Sequence, residues 1–578
     1  MVYKKYGNYE LHPMTKIVNH KGDVVAGYDQ IFTKIQSEMI DSTNVLICDF
    51  YPGVNSEEVE KELEKLNPSL FIRTQELLFD FQTLDKIFDK NITDDRVFGY
   101  MSDKKVEDCF DPAKVESAKE KIAKIKNDLV VVVGVGAYSI WNEGLFVYFD
   151  MARWEIQTRF KNGATNWLAE NPNDPFLTKY KRGFFIEWRL ADRYKVEHFK
   201  DMDFVVDTNI ANNPKMVEGE VFLKALTEVS QKPFRMQPYF DPGVWGGQWM
   251  KNNFNLDPKE KNYAWSFDGI PEENSINLEF ENGFIEVPSN NIVLYAPDAL
   301  LGERVYARFG RAYPIRFNLL DTMEGQNLSL QVHPLEDYIQ ETFGMHYTQE
   351  ESYYLLDAKE GAFVYLGLKE NVDSEQMKRD LKIAEKGTES FDAEKYINKF
   401  PVKKHDHVLI PPGTIHCSGS NSMVLEISAT PFVYTFKLWD WDRLGLDGLP
   451  RPIHLEHGFK NIQWDRTTSW VEEHLLHRQV TLEETETYRI ERTGLHESEF
   501  IETLRIYTTD DCVVKMNGSA QSANLVEGKE AQIVSTDGSF EPFTVHYAET
   551  FIIPESVKSY ILKAIDSPVT IIVAQVRK

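Results

Sequence analysis

Two stretches of this chain echo each other. HVLIPPGTIHCSGSNSMVLEIS (407–428) and TFIIPESVKSYILKAIDSPVTIIVA (550–574) share one order: an apolar run ending in Ile-Pro, a turn, a strand, a second turn, and another apolar strand. Two related β-barrels in tandem are the expected fold for such a pair. From about residue 230 onward the chain supports this, with short alternating strands punctuated by prolines and glycines. One helical insert is predicted near 371–398, from VDSEQMKRDLKIAEKG and DAEKYINKF.

The first 225 or so residues have a different texture, in which apolar strand-like runs alternate with charged amphipathic stretches, the pattern of an α/β domain. NVLICDFY (44–51) predicts a buried strand, and VNSEEVEKELEKL (54–66) a helix capped by Ser56. DLVVVVGVGAYSI (128–140) predicts a second buried strand running into glycines. WEIQTRF (154–160) and EWRLADRYK (187–195) predict helices, and AKVESAKEKIAKIKND (113–128) a solvated one. The expected organisation is therefore multidomain: an α/β domain over 1–228, a β region with the helical insert over 229–477, and a second β domain over 478–578.

The chemistry-bearing residues lie in the first barrel. In NLSLQVHPLEDY (327–338), Leu328, Leu330 and Val332 alternate with Ser329, Gln331 and His333, so the amide and the imidazole share one strand face before Pro334 ends the ladder. Glu350 and Glu351 open the next strand, and His416 starts another after the turn PPGT. Two neutral imidazoles, a carboxylate and an amide oxygen suit a borderline divalent cation, most often zinc. By themselves the residues leave open whether this polar face is solvated or lines a metal cavity, and which glutamate takes part. In the second copy, the place of His416 belongs to Ser559, so that barrel is expected to carry no ligand there.

Several of these segments, in order, resemble class I mannose-6-phosphate isomerases, a family of cupin-fold aldose–ketose isomerases. Gln331-Val332-His333-Pro334 stands as the family's QVHP, preceded by FGRAYPIRFNLLDT (309–322). ESYYLLDA (351–358) is similar to the strand carrying the family's metal-binding glutamate, and IPPGTIHCSG (410–419) to the segment with its last histidine. FDPGVWGGQWM (240–250) and LWDWDRLGLDGLPRPIHLEHGF (438–459) extend the likeness over about 230–578. The resemblance implies a cupin (double β-barrel) region in which Gln331, His333, Glu351 and His416 hold one Zn2+ per chain. It also implies a phosphorylated hexose as substrate, with mannose 6-phosphate and fructose 6-phosphate interconverted through a cis-enediol.

The chain departs from the family at two places. YTQEE (347–351) puts Gln349 or Glu350 where many relatives have a lysine. FVYTFKLWDWDR puts Val433 and Lys437 where the family has an aspartate and an arginine. Lys437 and Arg443 are the catalytic candidates; Arg443 either compensates for the missing arginine or braces the fold. These departures keep a second reading open, a non-catalytic metal-bearing cupin that binds a sugar phosphate for regulation. ICDFYPGVNSEEVEKEL (47–63) resembles the strand–loop–helix of a P-loop nucleoside or uridine kinase, in degenerate form: Asp49 and Val54 fall on the glycines and Asn55 on the lysine, so no kinase activity is expected.

Composition narrows the setting. A formal charge of −27 disfavours nucleic acid, while a few local cations still allow a small phosphorylated ligand. No apolar run approaches the roughly 20 residues that cross a bilayer, and MVYKKYGNYELHP has no apolar signal core. Cys48, Cys109, Cys417 and Cys512 are scattered without a CxxC, which points to reduced thiols in a cytoplasm. Neither the oligomeric state nor the general base is assigned by the sequence.

Overall fold

The computed structural model describes residues 6–20, 22–39, 43–446, 448–565 and 568–578. Residues 1–5, part of the stretch expected to lack a signal, lie outside them. The chain forms two compact units, Met14–Ser230 with Pro271–Ala296, and Met1–Pro13 with Gln231–Ile270 and Pro297–Lys578. Two segments thus belong elsewhere than the expected division at 228/229 puts them, and the two β regions stay within one unit.

Long-range pairing explains both exchanges. The hairpin Ser275–Phe280 and Gly283–Pro288 takes Met14–Lys16 as a parallel third strand. Its Glu286 N–H also binds Asp207 Oδ2 of the first unit at 2.9 Å. Within the other unit, Tyr9 stacks on Phe254 at 3.9 Å, and the Glu10 N–H donates to Glu549 at 2.7 Å.

The unit containing Met14–Ser230 is built on five parallel strands in the order Leu70–Arg73, Val130–Gly134, Val45–Phe50, Leu145–Asp150 and Phe204–Asp207. VLICDF, VVVVG and LFVYFD are buried at every position, as strands covered on both faces must be. The helix after the first of them begins at Ser56, but its cap is Asn55, whose side chain accepts the Glu58 N–H. A residue already in helical geometry cannot also cap, so the expectation for Ser56 is one position late. Asp49, at the end of the same strand, is buried and accepts the N–H groups of Gly136 and Tyr138 and the hydroxyl of Tyr194. Its oxygens are therefore committed within the protein.

The other unit carries two barrels of matching topology. In the first, His407–Ile410, Glu350–Ala358, Ser422–Ala429 and Arg316–Asp321 are successive neighbours in one sheet. The facing sheet holds Ile397–Pro401, Phe363–Leu368, His416–Ser418 and Leu330–Val332. In the second, Thr550–Ile553, Gln521–Glu527, Val569–Val576 and Ile501–Thr508 repeat the first order. Phe543–His546, Glu530–Ser535, Ser559–Ala564 and Asp511–Lys515 repeat the other. His416 and Ser559 thus open equivalent strands. The interior of the second barrel is filled by apolar side chains from both sheets, among them Leu525, Phe551, Ile571, Ile533 and Leu562. The helical insert appears as Ser374–Glu385 and Ala393–Tyr396. No helix among the described residues is long and apolar enough to cross a membrane.

Candidate metal centre

The centre is assembled on a three-residue strand, Leu330–Val332. Leu330 and Val332 face the core with no exposure, so Gln331 must face the other way. Gln331 lies opposite His416 on one neighbour and opposite Lys437 on the other, giving a row of three side chains on one sheet face. The turn before His416 bends through Gly413 at φ +87°, where a Cβ would meet Gln463 and the Asn461 carbonyl. The Gly413 N–H also binds the His333 carbonyl at 2.9 Å, pinning the turn to the strand end.

Both ring orientations are held from behind. His333 Nδ1 donates to the Tyr434 carbonyl at 3.0 Å, and His416 Nδ1 to the Thr414 carbonyl at 2.9 Å. A carbonyl only accepts, so each Nδ1 bears a proton and each Nε2 is left for the centre. Each Nε2 lies 2.8 Å from the same oxygen, Glu351 Oε2. The Gln331 side chain joins them through its amide nitrogen, Nε2, which donates to His416 Nε2 at 3.2 Å. His333, Glu351 and His416 are all at most 1% exposed and their ligand atoms lie within 4.8 Å of one another.

Lone pairs packed this closely away from water require a positive charge among them. The same demand shifts the proton affinities of these side chains. Burial pushes the His333 imidazole down, but the Glu351 charge overcomes it and raises its pKa. Burial pushes the Glu351 carboxyl up, yet the two imidazoles hold it at about 2. A divalent cation meets the same demand for all the donors at once, and nitrogen–oxygen sets of this kind suit zinc.

The remaining sequence candidates separate cleanly. Glu350 leaves the opposite side of its strand and accepts the Phe500 N–H at 3.1 Å, so Glu351 is the glutamate at the centre. Lys437 stands in the Gln331 row. The Arg443 guanidinium binds Asp440 Oδ1 at 2.6 Å and the Asn327 carbonyl at 2.8 Å. Val433 is 49% exposed.

One acid beside the candidate centre escaped the sequence. Strand register puts Glu426 opposite Tyr353 on one side and Asn318 on the other, while Ser428 lies opposite Glu351 and Arg316. Glu426 therefore shares the inner face with Glu351. It accepts Asn318 Nδ2 at 3.2 Å and Ser428 Oγ at 3.1 Å, and burial followed by the Glu351 charge pushes its carboxyl up to about 8. A detectable signal existed: SMVLEISA has a single acid where the echoing strand VTIIVAQV has Val573.

Parts of this chain resemble known proteins. A family described as a domain of unknown function, DUF8485, matches residues 27–231. A mannose-6-phosphate isomerase of Streptococcus mutans is 28% identical over 229 residues, 39% of this chain and 66% of that protein. Mannose-6-phosphate isomerase ManA of Bacillus subtilis is 24% identical over 252 residues, 43% of this chain and 73% of the relative. Among solved structures, the Bacillus subtilis mannose 6-phosphate isomerase superposes with a TM-score of 0.49 at 19% identity, covering 60% of this chain and 99% of its own.

Proposed function

We propose that this chain is a zinc-dependent aldose–ketose isomerase that interconverts mannose 6-phosphate and fructose 6-phosphate. The observation that carries the proposal is the meeting of two imidazole Nε2 atoms on one carboxylate oxygen, 2.8 Å from each. The sequence relatives named above support the substrate class. Gln331, His333, Glu351 and His416 would hold the ion, which when bound polarises the sugar oxygens as a Lewis acid.

This chain's own groups supply the rest. Glu426 removes the proton at C2 and returns it at C1 once the cis-enediol has formed, while the hydroxyl proton passes from O2 to O1. A carboxyl raised by burial suits a base working near neutrality, and positive charge at the centre draws its pKa down. Lys437, in the Gln331 row, supplies a cation for the phosphate or the developing oxygen charge.

A second reading, a sugar-phosphate-binding cupin without turnover, rests on Lys437 and Val433 standing where the resembling family has an arginine and an aspartate. Arg443, three residues after Asp440, is bound to it. A coupled assay following glucose 6-phosphate, with auxiliary phosphoglucose isomerase and metal analysis of the same sample, decides between them. One zinc per chain with turnover supports the enzyme; one zinc with none supports the binder. For the α/β unit we propose a degenerate P-loop-kinase-like fold without kinase activity, because Asp49 is committed within the protein and Asn55 replaces the phosphate-binding lysine. The free, buried cysteines suit a cytoplasmic setting.

A further inference from the structure

We propose that the Tyr353 hydroxyl binds a hydroxyl group of the sugar, making Tyr353 a substrate-binding residue; the proposal rests on the isomerase reading above. Tyr353 is 1% exposed, and its hydroxyl has no hydrogen-bond partner among the described residues. It stands two residues after Glu351 on one strand, so both side chains leave the same face. Glu426 is directly opposite across the ladder, and the Tyr353 ring meets the His416 ring edge-on at 5.8 Å. The unpaired hydroxyl therefore sits on the wall that carries the metal-binding glutamate and the proposed base.

Folding gains nothing from this hydroxyl. Phenylalanine would fill the same volume without the penalty of a buried, unpaired polar group. Such a group is retained where a ligand completes it. A second unpaired atom lies on the other side of Glu351 in the chain: Gln349 Oε1 is buried and has no partner among the described residues. The metal-binding carboxylate is thus bracketed by a phenol and an amide oxygen, both uncharged. A phenol donates and accepts, and an amide oxygen accepts from O–H, so together they recognise the alcohol groups of a sugar rather than its phosphate. A site built this way loses discrimination when its hydrogen-bonding group is removed.

The test is Tyr353→Phe in the full-length, zinc-loaded protein, read by melting temperature, zinc content and kinetics with mannose 6-phosphate. The expected result is unchanged zinc, a melting temperature equal to or above wild type, and a KM raised about tenfold or more. Gln349→Leu should shift KM in the same direction. A lowered melting temperature with an unchanged KM would make the hydroxyl structural and overturn the proposal, as would an unchanged KM alone. If the wild type turns over no mannose 6-phosphate, the isomerase reading falls separately. Thermal shifts with mannose then decide: a shift in wild type that is lost in Tyr353→Phe upholds the binding role, and no shift in either overturns it.

Discussion

Gln331 and Lys437 stand directly opposite each other across an antiparallel ladder, with His416 opposite Gln331 on its other side. An amide beside the candidate metal centre and a cation thus leave the same sheet face as neighbours. Replacing Lys437 with methionine should lower kcat/KM by about 10²–10³, the usual cost of one lost charge-stabilising group, and leave zinc content unchanged. Lys437→Arg should recover part of the loss. Metal analysis beside the coupled assay checks both halves.

Removing one imidazole should remove the ion. His416→Ala is expected to purify without zinc and without turnover. A chelator should lower the wild-type melting temperature and leave that of the variant unchanged, because an ion bound only by the folded state stabilises it by about 2.7 kcal/mol at a hundred times its Kd. Zinc retained at full occupancy in His416→Ala would contradict the ligand set.

Glu426→Gln keeps the size of the side chain and its bond from Asn318 while removing the proton carrier. We expect kcat to fall about 10²–10⁴, with zinc retained and KM changed only a few-fold. A variant that keeps wild-type kcat would exclude Glu426 as the base.

Asp268 offers a pH test away from the centre. Burial pushes its carboxyl from 3.8 up to about 7, against the pull of Arg235, and one of its oxygens accepts the Tyr9 hydroxyl at 3.3 Å. A raised folded pKa means that the stabilising contribution is complete below the unfolded value and is lost as pH climbs through the folded one. The melting temperature of Asp268→Asn should therefore lack the part of the decline between about pH 4 and pH 7 that the wild type owes to this group. A wild-type-minus-variant difference that is flat across this range would contradict it.

The hairpin between residues 271 and 296 makes the α/β unit discontinuous in sequence. Arg153, 3% exposed at its side chain, is paired with Asp192 and with Glu272 of this returning segment. Breaking a buried pair costs about 3–5 kcal/mol. A fragment of residues 14–230 should show no cooperative melt by circular dichroism, and supplying residues 271–296 through a linker should restore one. Cooperative melting of the short fragment would show that the hairpin is dispensable.

Much of the architecture was legible because it is written locally. A strand buried on both faces needs an unbroken apolar run, and VVVVG has no other use for one. The echo between 407–428 and 550–574 survives because matching strands in matching barrels meet the same packing demands, down to His416 and Ser559 opening equivalent strands. The Ser56 cap failed by one position because a cap depends on where helical dihedrals begin, and neighbouring polar residues satisfy the same pattern.

By itself the sequence determined the two classes of domain, the tandem barrels, and the residue types of a candidate divalent-cation site. Only the tertiary structure decided that the hairpin of 271–296 belongs with the α/β unit, that Arg443 is held by Asp440, and that Glu426 and Tyr353 share a wall with Glu351. The physical reason is range. Side-chain alternation is a property of a few consecutive residues, whereas a partner across a ladder is set by the register of strands far apart in the chain, as Asn318, Tyr353 and Glu426 are.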